Sequence, residues 1–301
     1  MRVNLGSQRI APYVLISPFF LLFAAFGLYP IGYSIVMSLY NWGLVGPQGR
    51  PGIQNYLALF TTDPFFMRSL LNTLVLLVFG SLTQHVIGFP LAIVLKDRLL
   101  KGRDAFRTLF FLPYITSTVP VCLIFLRLLD NNYGWLNWLI ADVFGGPRIN
   151  FVTEPGPIKA AISLILNWRY IGWCAVVYLA GIQAIPQELY ESAMIDGAGS
   201  WIRHTRVTLP MIMPVVFFNV SLTVIFGLQL FEEPYVWTGG YAQLGGTGNS
   251  GLTTAFYLMH QGFRGSRFGR ASSIAWVMFI MIIALTWVTR RITRRAGEQE
   301  G

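Results

Sequence analysis

The sequence predicts an all-α membrane protein with about six transmembrane helices, and three observations carry that prediction. First, the 301 residues are 54% hydrophobic and only 12% charged, roughly half the charged share of about 25% found in soluble domains. Folded in water, such a chain has too little polar side chain to cover its apolar surface. Second, the apolar residues gather in stretches long enough to cross about 30 Å of hydrocarbon as helices. Third, the basic residues stand at the ends of those stretches and form no stripe of their own, so the formal net charge of +9 reads as membrane topology and not as nucleic-acid binding. Even-spaced alternation of the barrel type is missing, and lipid requires each spanning segment to pair its own backbone groups.

The expected spans are 12–40, 70–95, 108–129, 160–183, 211–231 and 271–289. The first lies in a charge-free run between Arg9 and Arg50. That run is far longer than the apolar core of a signal peptide and has no small-residue cleavage site closing it, so it reads as a retained helix. The second and fifth carry no acid, lysine or arginine; the third holds only Arg127 and the fourth only Arg169. The sixth stops at Arg290-Arg291. Pro30, Pro90, Pro113, Pro120 and Pro214 fall in or beside spans, where each removes a helical hydrogen bond and can kink its helix. Cys122 and Cys174 lie inside apolar stretches and read as small core residues rather than a disulfide.

With six spans, both termini share one side with the connections after spans two and four. That side collects Arg2, Arg9, Lys96, Arg98, Lys101, Arg103, Arg107, Arg203, Arg206, Arg290, Arg291, Arg294 and Arg295, against Arg50, Arg68, Arg148, Lys159, Arg264, Arg267 and Arg270 opposite. The positive-inside rule therefore places both termini in the cytoplasm. Arg264, Arg267 and Arg270 run against the rule and would suit an anionic solute or an acidic docking protein.

The connection between spans four and five, 186–210, is the most informative segment. Pro186 suits the start of a helix, and Glu188 and Glu191 sit in its first turns, where the helix dipole favours acids. Leu189 and Ala193 share one face, as do Tyr190 and Met194. Gly197 and Gly199 offer a stop or tight turn, and Leu209-Pro210 breaks the chain before span five. Physics alone leaves two readings open: a loop lying on lipid headgroups or an element that docks a partner.

The stretch resembles the EAA loop of ABC-importer permeases, with Glu191 and Ala193 in its opening triplet, Gly197 at the glycine and Leu209-Pro210 closing it. Ser192 and Val207 depart from the usual alanine and isoleucine. The run LAGIQAIPQELYESAMIDGAG, LQLFEEPYVWTGG after span five, NTLVL, FRTLFFLPYITSTVP and FGRASSIAW resemble the sugar-permease branch, of the maltose or glycerol-phosphate type, over nearly the whole chain. The resemblance implies a type I importer permease architecture in a bacterial or archaeal plasma membrane. It also implies partners: a second permease subunit, two ATPase subunits and an extracytoplasmic solute-binding protein, with lipid around them and no nucleic acid. The 186–210 loop would couple to an ATPase, Glu191 meeting a basic group there while Asp196 and Gly197 shape the bend. Along span five the resemblance implies a solute path, with Asn219, Thr223 and Gly227 on one helical face. Interhelical hydrogen bonding explains the same residues equally well. Asn167, Arg169, Tyr178, Ser221 and Gln229 are further intramembrane polar candidates.

Enzyme chemistry finds no support. The sequence contains no Gly-Lys pair, so no phosphate-binding loop of the GxxxxGK[ST] type exists, and ATP with its magnesium would be held by a partner. His85, His204 and His260 are scattered, which gives no metal-ligand spacing and no expected metal. Glu232 and Glu233 are expected at headgroup level, and Thr238 to Gly251 as a weakly structured outer loop. Trp42, Trp135, Trp138, Trp237 and Tyr235 fit an outer aromatic belt. Two other classes compete: an ion-driven secondary transporter, which would want mid-membrane acids, and a membrane scaffold, which has no reason to carry the 186–210 pattern.

Overall fold

The computed structural model describes residues 5–97 and 101–298, with the side chains of 5–9, 11 and 293–298 left undescribed. Arg2 and Arg98 of the expected basic side lie outside the described residues, as do the side chains of Arg9, Arg294 and Arg295. Among the described residues, five helices are long and apolar enough to cross a membrane: α1 (Pro12–Leu39), α2 (Pro64–Lys96), α5 (Pro155–Gln183), the segment Met213–Trp237 and the helix that starts at Phe268. After α2 come α3 (Arg103–Ile115) and α4 (Thr118–Leu128), bent 99° from one another. After α5 come α6 (Gln187–Ile195), α7 (Met213–Leu228), α8 (Glu232–Trp237) and α9 (Phe268–Glu298).

The third expected span, 108–129, is therefore not one helix. Thr116 and Ser117 are extended, and Pro120 in the first turn of α4 has no N–H to carry a helix through that point. One consequence of the break is a carbonyl at Thr116 free of the helical ladder, and Arg169 of α5 donates to it at 2.9 Å.

The helices meet along seams of small residues, which let backbones approach where lipid supplies no hydrophobic drive. Gly172 of α5 lies directly against the Phe110 carbonyl of α3, in space that a Cβ would occupy. Gly227 of α7 does the same against α2, where a Cβ would stand 2.6 Å from Leu77 Cδ1. Cys122 and Cys174 are both free and buried.

Three expectations for the outer side are corrected. Thr238 to Gly251 is well ordered: Arg68 and Asn72 donate to the carbonyls of Gly248 and Asn249 at 3.0 and 2.7 Å, and Asn249 caps the Leu244 carbonyl at 2.8 Å. Its many glycines supply left-handed turns that fold the segment onto α2 and α5. Trp237 belongs to the core, 2% exposed, with its indole N–H on the Phe151 carbonyl at 3.0 Å; Tyr235 packs against Phe231, Tyr241 and Phe256. Trp135 and Trp138 do stay exposed. Arg270 is tied to buried Asp63 at 2.8 Å, and Tyr257 donates to the same carboxylate at 2.7 Å. One member of the anomalous arginine cluster is thus structural. Trp42 sits on a small antiparallel hairpin, Asn41–Gly43 with Gly46–Gln48.

Candidate functional site

Two clefts among the described residues gather polar side chains, one at the connection after α5 and one beside α5 and α7. In the connection, α6 ends at Asp196, and Gly197 takes a left-handed φ of +77°, a conformation that suits glycine. Ala198 N–H then returns to the Ala193 carbonyl at 2.9 Å, closing the helix end. Tyr190 turns inward, and its hydroxyl meets Thr208 Oγ1 at 3.0 Å. The same oxygen lies 3.1 Å from His204 Nδ1. Lys96, at the end of α2, places its ammonium 3.9 Å from the centre of the Tyr190 ring. Burial, followed by the neighbouring Arg203 and Lys96, pushes the His204 pKa down. Leu209 and Pro210 are half-buried and lead into buried Ile212, which anchors the loop to the bundle.

The opposite side of this helical turn is open. Glu191 and Asp196 are exposed, and neither belongs to an ion pair among the described residues. Beside them Ile195 and Trp201 are 87% and 79% exposed. A cleft of about 1560 Å³ runs between this loop and the end of α2, lined by Glu191, Lys96, Arg103, Arg107 and Arg203. Of the residues expected here, Glu191, Asp196 and Gly197 present themselves outward, while Ala193, Leu209 and Pro210 face at least partly inward. Tyr190, Thr208 and Lys96, which hold the loop together, were not singled out from the sequence for that role; a tyrosine followed by threonine eighteen positions on gives no local signal.

The second site is a cleft of about 670 Å³ bounded by α2, the α3–α4 bend, α5 and α7. One wall is aromatic: Tyr114 and Trp173 stack with ring centres 4.7 Å apart and planes 20° apart. Arg169 crosses the cleft from α5 to α8. It donates to Glu233 Oε1 at 3.2 Å, to the Thr118 hydroxyl and to the Thr116 carbonyl. Glu233 is 4% exposed and so is not a headgroup or loop residue. Its helix α8 continues α7 after a short break and turns the acid back onto Arg169, which compensates a charge that could not otherwise be buried. The span interiors consequently do contain an acid, although a paired one.

The three residues expected to share a solute-facing stripe are divided. Thr223 and Gly227 reach the cleft wall. Asn219 does not: it is 1% exposed and donates to Cys174 Sγ at 3.2 Å, inside the seam between α5 and α7. Thr223 is itself held by Gln84 at 3.1 Å and by His85 at 3.0 Å, and His85 Nδ1 lies 2.7 Å from the Tyr178 hydroxyl. Arg169 and Gln229 line the cleft, Asn167 binds Thr83 and the Phe79 carbonyl, and Ser221 is buried. Sequence reasoning passed over Gln84, Tyr114 and Trp173. The adjacent polar pair Gln84-His85 in an otherwise apolar span was the available signal for the first.

Residues 86–297 match the model of the family described as binding-protein-dependent transport system inner membrane component. The chain is 32% identical to the arabinooligosaccharides transport system permease protein AraP of Bacillus subtilis, over 95% of this chain and 90% of that one. To the lactose transport system permease protein LacF of Rhizobium radiobacter it is 33% identical, over 92% and 91%. Its fold superposes with a TM-score of 0.83 on a chain of a bacterial alginate ABC transporter solved with an alginate pentasaccharide-bound periplasmic protein, at 25% identity and 99% coverage of both chains. This chain belongs to the family of binding-protein-dependent transport system inner membrane components.

Proposed function

We propose that the chain is one permease subunit of an ATP-driven importer for a carbohydrate or related solute and forms half of the translocation path. The cleft carries this reading: an aromatic wall and a polar edge at membrane depth suit the two faces of a sugar ring, whose C–H face packs on aromatics and whose hydroxyls need partners. The solutes named for AraP and LacF belong to that class. In this reading the other half of the path comes from a second permease subunit. The exposed apolar α1, whose membrane window has no buried residue, offers surface for that subunit or for lipid. An extracytoplasmic binding protein delivers the solute. Two ATPase subunits hold ATP and magnesium, and this chain holds no cofactor. The 186–210 loop docks one ATPase through Glu191 and the exposed Ile195 and Trp201, with both termini on the same cytoplasmic side. Gly197 and the Tyr190–Thr208 contact keep the loop rigid enough to pass a displacement to α5 and α7.

The test is co-purification of the chain with a co-expressed ATPase subunit of this importer class, for wild type and for Glu191→Lys and Gly197→Asp. Loss of the ATPase from variants that insert normally supports the coupling assignment. Equal retention in both variants removes it.

A further inference from the structure

The cleft carries its charges unevenly. Arg169 is its one cation among the lining residues, against two acids, Glu232 and Glu233. The arginine is already engaged: Glu233, the Thr118 hydroxyl and the Thr116 carbonyl take both terminal nitrogens, and its side chain is only 12% exposed. Glu232 is different. It is exposed, lines the same cleft, and forms no ion pair among the described residues. With Arg169 and Glu233 cancelling one another, the cleft keeps one uncompensated negative charge, in surroundings where low-dielectric walls extend its reach.

We infer that Glu232 sets the charge selectivity of this subunit's half of the pathway, which accepts uncharged polyhydroxylated rings and rejects acidic ones. The inference rests on the proposed reading of the cleft as the solute path and narrows it. Solutes named for related chains include both classes, since arabinooligosaccharides and lactose are uncharged while alginate is an acidic polysaccharide. A uronate or phosphate entering here would meet a carboxylate at the wall and find both terminal nitrogens of Arg169, the one cation lining the cleft, already taken and its Nε buried. Releasing Arg169 for it would strand Glu233 as an unpaired buried acid. An uncharged sugar requires neither. It can stack on Tyr114 and Trp173 and use Gln229 and Thr223 at the edge, all of which line the cleft. The arginines at 264 and 267, which alone would suit an anion, do not line it.

The test reads the potential of the cleft directly and needs no knowledge of the solute. Gln229→Cys is placed in the complete transporter, with its partner permease and ATPases, in nanodiscs. Modification rates are compared for cationic trimethylammonium-ethyl, anionic sulfonato-ethyl and neutral methyl methanethiosulfonates, after correction for intrinsic reactivity. The chain without the new cysteine serves as the background, its own two thiols being buried. The cation is expected to react faster than the anion by about tenfold, the size of a single nearby charge acting on probes of opposite sign. Glu232→Gln should reduce that ratio to near unity without changing the rate of the neutral reagent. Equal rates for the two charged reagents, or a ratio that Glu232→Gln leaves unchanged, would overturn the charge inference and leave the pathway reading standing. If the new cysteine resists all three reagents both at rest and during ATP turnover, the cleft is not a path, and both readings fall together.

Discussion

The loop after α5 and the cleft beside it use the same kinds of side chain in opposite ways. In the cleft, half-buried Arg169 and buried Glu233 are spent on each other; in the loop, Glu191 and Asp196 stand exposed and unpaired among the described residues. The difference follows from what surrounds them. Packed among helices with no water to solvate it, a buried charge such as Glu233 must bring its partner or forfeit several kcal/mol, whereas Glu232, exposed at the edge of the same cleft, stands without one. At the aqueous surface a lone carboxylate costs nothing, and can be kept for a partner's basic group. Charge pairing is thus a matter of integrity in one region and remains available for recognition in the other.

The largest effect that would break this contrast is expected at Arg169. Arg169→Met leaves Glu233 buried without compensation, and should cost about 3–5 kcal/mol of stability. Thermal unfolding in detergent reads this as a steep loss of midpoint, and Arg169→Met with Glu233→Gln should recover most of it. Recovery absent from the double variant would mean that the contacts to Thr116 and Thr118, and not the ion pair, hold the bend. Next in size is Gly172→Ala, which drives a methyl into the Phe110 carbonyl; overpacking of this kind costs about 1–3 kcal/mol. The same unfolding measurement should show it, and an unchanged midpoint would mean that α3 can slide away from α5 freely.

Smaller effects belong to the loop. Tyr190→Phe removes the hydroxyl that meets Thr208, worth about 0.5–1.5 kcal/mol. Amide exchange should quicken over 186–210 while the spanning helices keep their protection. The smallest effect is a pH dependence. His204 has its pKa lowered by burial and by nearby cations, so the unfolded loop takes up a proton more readily than the folded one. Its contribution to stability is therefore complete above the ordinary histidine value of about 6.5 and is lost as pH falls from there through the lower folded-state value. His204→Gln should flatten the pH dependence of exchange over that range, and an unaltered profile would assign it elsewhere.

Most of the helical plan could be read from the sequence because hydropathy is a one-dimensional property and spans are one-dimensional objects. The loop was legible for a related reason: Pro186 and Gly197 act through local backbone geometry. Leu209-Pro210, expected to break the chain, instead stays helical because a proline in a first turn removes no helical bond, and the irregular residue is Ile212. What stayed hidden depends on pairing across the bundle. Pro113 and Pro120 announced a weak point in the third span, yet nothing nearby fixed a 99° bend, which Arg169 stabilises from 53 residues away. Glu233 looked like a boundary residue because its partner lies on another helix. Asn219, Thr223 and Gly227 were correctly placed on one side of their helix, but that side spans both the seam with α5 and the edge of the cleft. Periodicity gives a face, and the neighbours decide what the face meets.

One packing relation bears on how the molecule is made. The C-terminal half of α1 packs on α9, with the Trp276 indole donating to Ser34 at 3.2 Å across 242 positions, while the N-terminal half of α1 touches little of its own chain. During synthesis α1 enters the membrane well before its partner α9 emerges. It must therefore wait in lipid through the insertion of every intervening segment, sustained by its hydrophobicity alone. The charge-free, predominantly apolar run from Ile10 to Leu39 meets that demand, and a ribosome stalled before Phe268 would leave behind a bundle in which α1 is still adrift.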